Sequence, residues 1–274
     1  MREELFANSN IARFPSDGPP LILWHGLGRC WRDFSTLLPW LTPRWSVTAI
    51  DHRGHGQSAR TPGAYHVPDY VADAVRLLKT FNNGPTVLYG HSLGALVAMG
   101  VAAECPELVR GIVLEDPPSA QMLVGISETG YAVTWRVMQQ LAGNRDIVHS
   151  VRALSETIMP NGKRLGELRN PAALRFLASC LADLDPETMT TPIAGTWLHG
   201  YDPVATAADV RCPALLLAAD PAAGGMMSAE ASSSLASSFK EGYLVNFPGC
   251  GHLLHGEHPE AVAKVVLPFL ESLS

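Results

Sequence analysis

The chain has 274 residues, 47% hydrophobic and 17% charged, with 20 basic against 26 acidic side chains and a formal net charge of −6. That length suits one large domain, or one domain with an insertion, and buries a sizeable core without staples. The mild acidic balance without a basic stripe argues against a nucleic-acid reader, and no apolar run reaches membrane-spanning length.

The N-terminal residues, Met1 to Asn8, lack the apolar core of a signal peptide. Short apolar segments then alternate with helical ones. Residues 21–24 read as a strand, 31–41 as helical and 47–50 as a strand. Residues 68–81 are helical, with Tyr70, Val71, Ala74, Leu77, Leu78 and Phe81 near helical spacing. Residues 86–89 are a strand, 93–105 a helix and 111–114 a strand. Strands alternating with helices imply an α/β domain with a mostly parallel sheet and helices on both faces. From about 119 to 207 strand signal fades, with helices expected at 128–141, 146–158 and 171–184. Alternation resumes with strands at 214–219 and 243–247 and helices at 229–238 and 259–273. The expected organisation is a core of residues 1–118 and 208–274 and a helical cap of 119–207 over the C-terminal strand ends. The cap's Met122, Trp135, Met138, Met159, Met189 and Trp197 are the pool for a substrate pocket, with Trp135, Met159 and Trp197 singled out. Most such residues in an insertion simply hold it together.

Chemistry concentrates at Gly90-His91-Ser92-Leu93-Gly94, a G-x-S-x-G pentapeptide between a strand and a helix. Glycines two residues either side let the chain turn sharply, exposing a serine hydroxyl at a helix N-terminus. A serine needs a base, and the base needs an orienting carboxylate. His252, in a glycine-flanked loop after strand 243–247, is the expected base. His255 and His258 follow at intervals of three without a completing ligand set and read as surface or loop-packing residues. His91 reads as packing beside the serine. The His25-Gly26-Leu27-Gly28 turn after strand 21–24 is suited to an oxyanion hole, with the Leu27 and Leu93 N–H groups as the donors.

The order His25-Gly26, Asp51-His52-Arg53-Gly54-His55-Gly56-Gln57-Ser58, the serine elbow and Gly251-His252 resembles the α/β-hydrolase superfamily over nearly the whole chain. The resemblance implies the α/β-hydrolase fold with a helical cap, and makes Asp51 and Arg53 loop anchors. Only about 20 residues precede the oxyanion turn, so the family's first hairpin should be short or missing. The family commonly sets its acid after the strand that follows the cap, where Ala222 now stands and Asp220 comes two residues early. Its second arrangement, similar to dehalogenase-like members and zearalenone-type lactonases, sets the acid after the strand following the elbow. Here Asp116 lies there, 24 residues past Ser92. Asp116 is the favoured acid, Asp220 the alternative, and Glu115 a third candidate. Strand alternation sends Glu115 and Asp116 to opposite sides, so one of them should reach His252.

A serine at the elbow argues against dehalogenase or epoxide hydrolase chemistry. The expectation is a serine hydrolase of a small, largely apolar ester or lactone. Carbon–carbon bond hydrolysis on the same triad, or a non-hydrolytic receptor, are the alternatives. Neither G-x-G-x-x-G nor a P-loop occurs, so no cofactor or metal is expected, and no nucleic-acid or membrane partner. Five scattered cysteines (30, 105, 180, 212, 250) without a C-x-x-C pair fit reduced thiols in a cytoplasm.

Overall fold

A computed structural model of the chain describes residues 1–81 and 84–273. Eight strands form one sheet in the order β1-β2-β4-β3-β5-β6-β7-β8. The strands are β1 (Arg2–Phe6), β2 (Ser9–Phe14), β3 (Pro20–Trp24), β4 (Ser46–Ile50), β5 (Thr86–His91), β6 (Val109–Glu115), β7 (Ala214–Ala219) and β8 (Gly242–Phe247). β2 runs antiparallel to both its neighbours, and the pairs from β4 through β8 are parallel. The first hairpin is present and short. Ala7 and Asn8 turn it at φ 48° and 70°, the left-handed pair that a two-residue hairpin loop requires.

Two-residue alternation splits the core between the two faces of the sheet. Ile22, Trp24, Leu88, Ile112, Leu114 and Leu216 face the Val67–Phe81 and Leu93–Glu104 helices. Leu21, Leu23, Val87, Tyr89, Val113 and Leu215 face the other way, among Phe34, Leu38 and Leu41 and Val262 and Val266 of the Pro259–Ser272 helix. The Leu93–Glu104 helix is buried almost all round, and small residues allow this: a Cβ on Gly100 would come within 2.6 Å of Val71.

Residues 31–41, expected as one helix, are a 3₁₀ turn at Trp31–Thr36 followed by a short α-helix at Leu38–Leu41. Pro39 near the start of the second piece lacks the N–H that would continue the first. Between β6 and β7 the chain is helical, chiefly Gly130–Leu141, Ile147–Glu156, Pro171–Leu181 and Pro203–Asp209. Asp146 and Asn170 cap the second and third of these through the His149 and Ala173 N–H groups. The expected boundary at 207/208 falls inside the Pro203–Asp209 helix, which packs on the Leu93–Glu104 helix of the sheet layer. Among the described residues no helix is long and apolar enough to cross a membrane. Because β3 and β5 to β8 are mutually parallel, the turns after them emerge at one edge of the sheet.

Candidate active site

That shared edge gathers the candidate residues. Ser92 follows β5 at φ 55°, ψ −115°, a backbone conformation costing of order 1–3 kcal/mol that persists only where its surroundings over-determine it. The flanking glycines show why. A Cβ on Gly90 would lie 2.0 Å from the Gly94 carbonyl oxygen, and one on Gly94 would lie 2.1 Å from that of Trp24. The elbow therefore closes directly on the end of β3, with no room for a side chain. The Ser92 N–H donates to the Glu115 carbonyl at 2.8 Å, which ties the elbow to β6.

His252 lies in the loop after β8, and its Nδ1 is 2.6 Å from Asp116 Oδ2. Asp116 is fully buried, sits at φ 43° past the end of β6, and accepts the Met226 N–H at 2.9 Å and the Ala219 N–H at 3.2 Å. With Nδ1–H directed at the carboxylate, His252 Nε2 is left as the basic nitrogen. Asp220 has a different position. It is partly exposed, accepts the Ala222 N–H and the Gly249 N–H at 2.8 Å each, and those backbone bonds hold its pKa below the ordinary value. It thus pins the loop that carries His252 without meeting the imidazole. Glu115 points to the opposite side from Asp116, as alternation requires, and meets His255.

Ser92 Oγ makes its hydrogen bond to Met226 Sδ, at 3.9 Å, and among the described residues none joins it to His252. Catalytic hydrogen bonds are often loose in a free enzyme. The Leu27 and Leu93 N–H groups make no hydrogen bond among the described residues. Their neighbour Gly28 does: its N–H donates to His55 Nε2 at 3.0 Å, while His55 Nδ1 bonds the Arg53 carbonyl at 2.9 Å. Those two bonds require the Nδ1–H tautomer. Burial, with the nearby His25, pushes His55 down to about 3, so it stays neutral and can accept. Asp51 accepts the Trp31 N–H at 2.6 Å and Arg53 pairs with Asp73, so both act as loop anchors.

Of the expected pocket residues, Trp135 and Trp197 are buried and pack edge to face with centroids 6.0 Å apart. Tyr131 links Trp135 to the site: its ring lies 5.9 Å from Trp135 and 5.7 Å from His252. Met159 packs farther out, beside Gly130 and Thr134. Composition alone passed over Met226 and Tyr131. Met226 lies in the β7–β8 connection, outside the insertion, and Tyr131 was one aromatic among several. The turn from His25 to Gly28 is backed by methionines, with Met138 Cε and Met189 Cε 2.1 and 3.0 Å from where a Gly28 Cβ would stand.

One expectation is overturned. Of the surface and loop-packing readings of His255, the surface one fails. His255 is wholly buried between Glu115 and Asp33, because the short Leu254–Glu257 turn folds it inward onto the Phe34 ring. Cys30 and Cys180 are both buried, with their sulfurs 3.6 Å apart and unbonded covalently.

A sequence model of the alpha/beta hydrolase family matches residues 21–265. A 2-(acetamidomethylene)succinate hydrolase of Mesorhizobium japonicum is 36% identical over 104 residues, 38% of this chain and 37% of that protein. The matched stretch thus spans little more than a third of that relative's length. An (E)-2-((N-methylformamido)methylene)succinate hydrolase of Acinetobacter baylyi is 24% identical over 97% of this chain and 96% of its own. Among solved structures, an E-2-(acetamidomethylene)succinate hydrolase matches with a TM-score of 0.75 at 23% identity, covering 98% of each chain. An enol-lactonase from Burkholderia xenovorans LB400 matches with a TM-score of 0.73 at 18% identity, covering 98% of this chain and 100% of that one. At such identities these structural likenesses speak for the fold.

Proposed function

The chain belongs to the alpha/beta hydrolase family, and on that premise we propose that it cleaves a small, largely apolar carboxylic ester or lactone through Ser92, His252 and Asp116. The observation that carries this reading is the 2.6 Å contact between His252 Nδ1 and buried Asp116 beside a serine at a strained elbow. Ser92 Oγ rotates from Met226, attacks the carbonyl carbon and gives its proton to His252 Nε2. The Leu27 and Leu93 N–H groups stabilise the tetrahedral oxyanion. His252 returns the proton to the leaving alkoxide, and an acyl-enzyme remains on Ser92. Water, deprotonated by the same imidazole, then releases the acid. The helices between β6 and the Pro203–Asp209 helix serve as the cap, and the Pro203–Asp209 helix itself belongs with the sheet layer. The odd number of scattered cysteines without a C-x-x-C pair supports a reducing, cytoplasmic setting.

The surroundings favour an apolar acyl or alcohol group. Met226, Tyr131, Trp135 and Met138 lie about the serine and the oxyanion turn, and the nearby Arg29 is already paired with Asp33 at 2.5 Å. A second reading has one observation in its favour: the near full-length similarity to an (E)-2-((N-methylformamido)methylene)succinate hydrolase supports hydrolysis of a small amide-bearing substrate on the same serine and base. The carbon–carbon hydrolase alternative uses the same serine and base. A fluorophosphonate probe tests the common premise, with labelling expected in the native protein and absent in Ser92→Ala. Native protein that takes up no label would overturn the hydrolase reading. Short acyl esters, lactones, an acylaminomethylene succinate and a ring-fission diketone, assayed side by side, then decide the substrate class.

A further inference from the structure

Behind the Ser92–His252–Asp116 group lies a second set of ionisable side chains that the proposed mechanism leaves unused. Its centre is His255. Glu115, at the end of β6, accepts the His255 N–H at 3.0 Å and holds Nδ1 at 2.9 Å with both carboxylate oxygens. Tyr89 of β5 hydrogen-bonds the same carboxylate. On the other side Asp33 Oδ2 lies 3.4 Å from His255 Nε2, while Asp33 Oδ1 accepts both Nε and a terminal nitrogen of Arg29. Phe34 stacks on the imidazole with centroids 4.7 Å apart, and Thr36 Oγ1 donates to the His255 carbonyl. His91 fills the space toward the active site. Its ring centroid is 5.0 Å from that of His255 and 4.6 Å from that of His252, and its Nε2 bonds the His252 carbonyl at 3.1 Å.

Four members are attached to segments carrying candidate functional groups. Arg29 belongs to the oxyanion turn, His91 precedes Ser92, Glu115 precedes Asp116, and His255 follows His252 by one turn of chain. Burial alone would push the His255 imidazole down, but the Glu115 charge and the Asp33 contact outweigh it and carry it up to about 10. Burial likewise raises Glu115, yet His255 holds it at about 2. Burial also raises Asp33, and Arg29 and then His255 bring it well below the ordinary carboxylate range. Burial, with His252 next in effect, pushes His91 down to about 3 and leaves it neutral. Arg29 and His255 therefore balance Asp33 and Glu115, and the set is formally neutral.

We propose that His255 is a positioning residue, a buried cation that cancels Glu115 and Asp33 so that no net charge stands behind His252, and that joins the loop bearing the base to the oxyanion turn and the acid-bearing strand. This rests on reading His252 as the base. Among the described residues Asp116, His91 and Tyr131 face His252, and the Arg169–Glu257 ion pair lies beside the preceding Gly251; on the far side of His91 the charge sum of the buried set is the further electrostatic influence. The two ring-to-ring steps put His255 no more than about 10 Å from His252. At that range one uncompensated charge moves a titration midpoint by roughly 0.6 to 1.2 pH units for an effective dielectric of about 40 to 20.

The test is an NMR titration of the His252 ring in four proteins, with the pH dependence of fluorophosphonate labelling at Ser92 measured in parallel. His255→Gln leaves a net negative charge and should move the His252 midpoint up. Glu115→Gln leaves a net positive charge and should move it down. The double variant restores neutrality and should return the midpoint to within about 0.3 units of the native value. A purely structural role moves labelling without these opposite shifts. Midpoints moving the same way in the two single variants, or a double variant that does not return, would overturn the proposal. If His255→Gln does not fold, Glu115→Gln decides with the His255 ring followed in the same titration: an unmoved or raised His252 midpoint while His255 stays protonated rejects the idea. Native protein that fails to label would instead strike the hydrolase reading, while the NMR result would still report on the charge set.

Discussion

Replacing Asp116 by asparagine separates the favoured carboxylate from its first alternative, Asp220. Asp116 Oδ2 receives His252 Nδ1–H and the Met226 N–H, and Oδ1 receives the Ala219 N–H. An asparagine offers one acceptor oxygen in place of two. With its oxygen toward His252, its amide faces the Ala219 N–H, donor against donor. Flipped, the amide faces both Met226 N–H and the imidazole, and drives His252 into the tautomer whose Nε2 carries the proton. Either way the base is disoriented or blocked, for an expected loss of about 10³ to 10⁴ in kcat, or about 4 to 5.5 kcal/mol of transition-state stabilisation. Asp220→Asn is the control. It gives up one of two loop bonds, to Ala222 or Gly249, in a partly exposed turn, and should lower kcat less than tenfold. The assay is steady-state hydrolysis of a short acyl ester, with burst kinetics on a nitrophenyl ester to isolate acylation. Asp220→Asn falling further than Asp116→Asn would refute the assignment of roles.

Gly94→Ala forces a Cβ to 2.1 Å from the Trp24 carbonyl oxygen and 2.9 Å from that of His25, both backbone atoms, so thermal unfolding should show a loss above about 3 kcal/mol or no soluble protein. Tyr131→Phe keeps the ring against His252 but loses the hydrogen bond to the Gly224 carbonyl, at a cost of about 0.5 to 1.5 kcal/mol, and should lower kcat less than tenfold in the ester assay. His255 binds its proton more tightly folded than unfolded, so its contribution to stability is fully present below about pH 6.5 and is lost as pH rises through about 10. Urea denaturation between those limits should show stability falling by up to about 1.4 kcal/mol per pH unit more steeply in the native protein than in His255→Gln. Equal slopes would refute the charged state.

Much of this molecule is local in origin, and that part is readable from the chain. Residues 214–219 and 229–238 are strand and helix with the expected bounds, because apolar runs and helix formers act through near neighbours. The elbow is legible for a similar reason, since Gly90, Ser92 and Gly94 describe a turn whose sterics are set within five residues. What sequence spacing does not carry is direction across the sheet edge. Asp116 and Asp220 both end strands that open on the same edge, β6 and β7, and either could have turned toward His252. The positive φ at Asp116 and the N–H groups of Ala219 and Met226 aim one carboxylate at the imidazole, while Ala222 and Gly249 engage the other. His255 is the sharper case. Two histidines three residues apart in a loop have no periodicity to mark one as buried, and the groups that make it a cation lie 140 and 222 residues away in Glu115 and Asp33. A side chain's charge depends on what surrounds it in space, and only the tertiary fold brings those surroundings together.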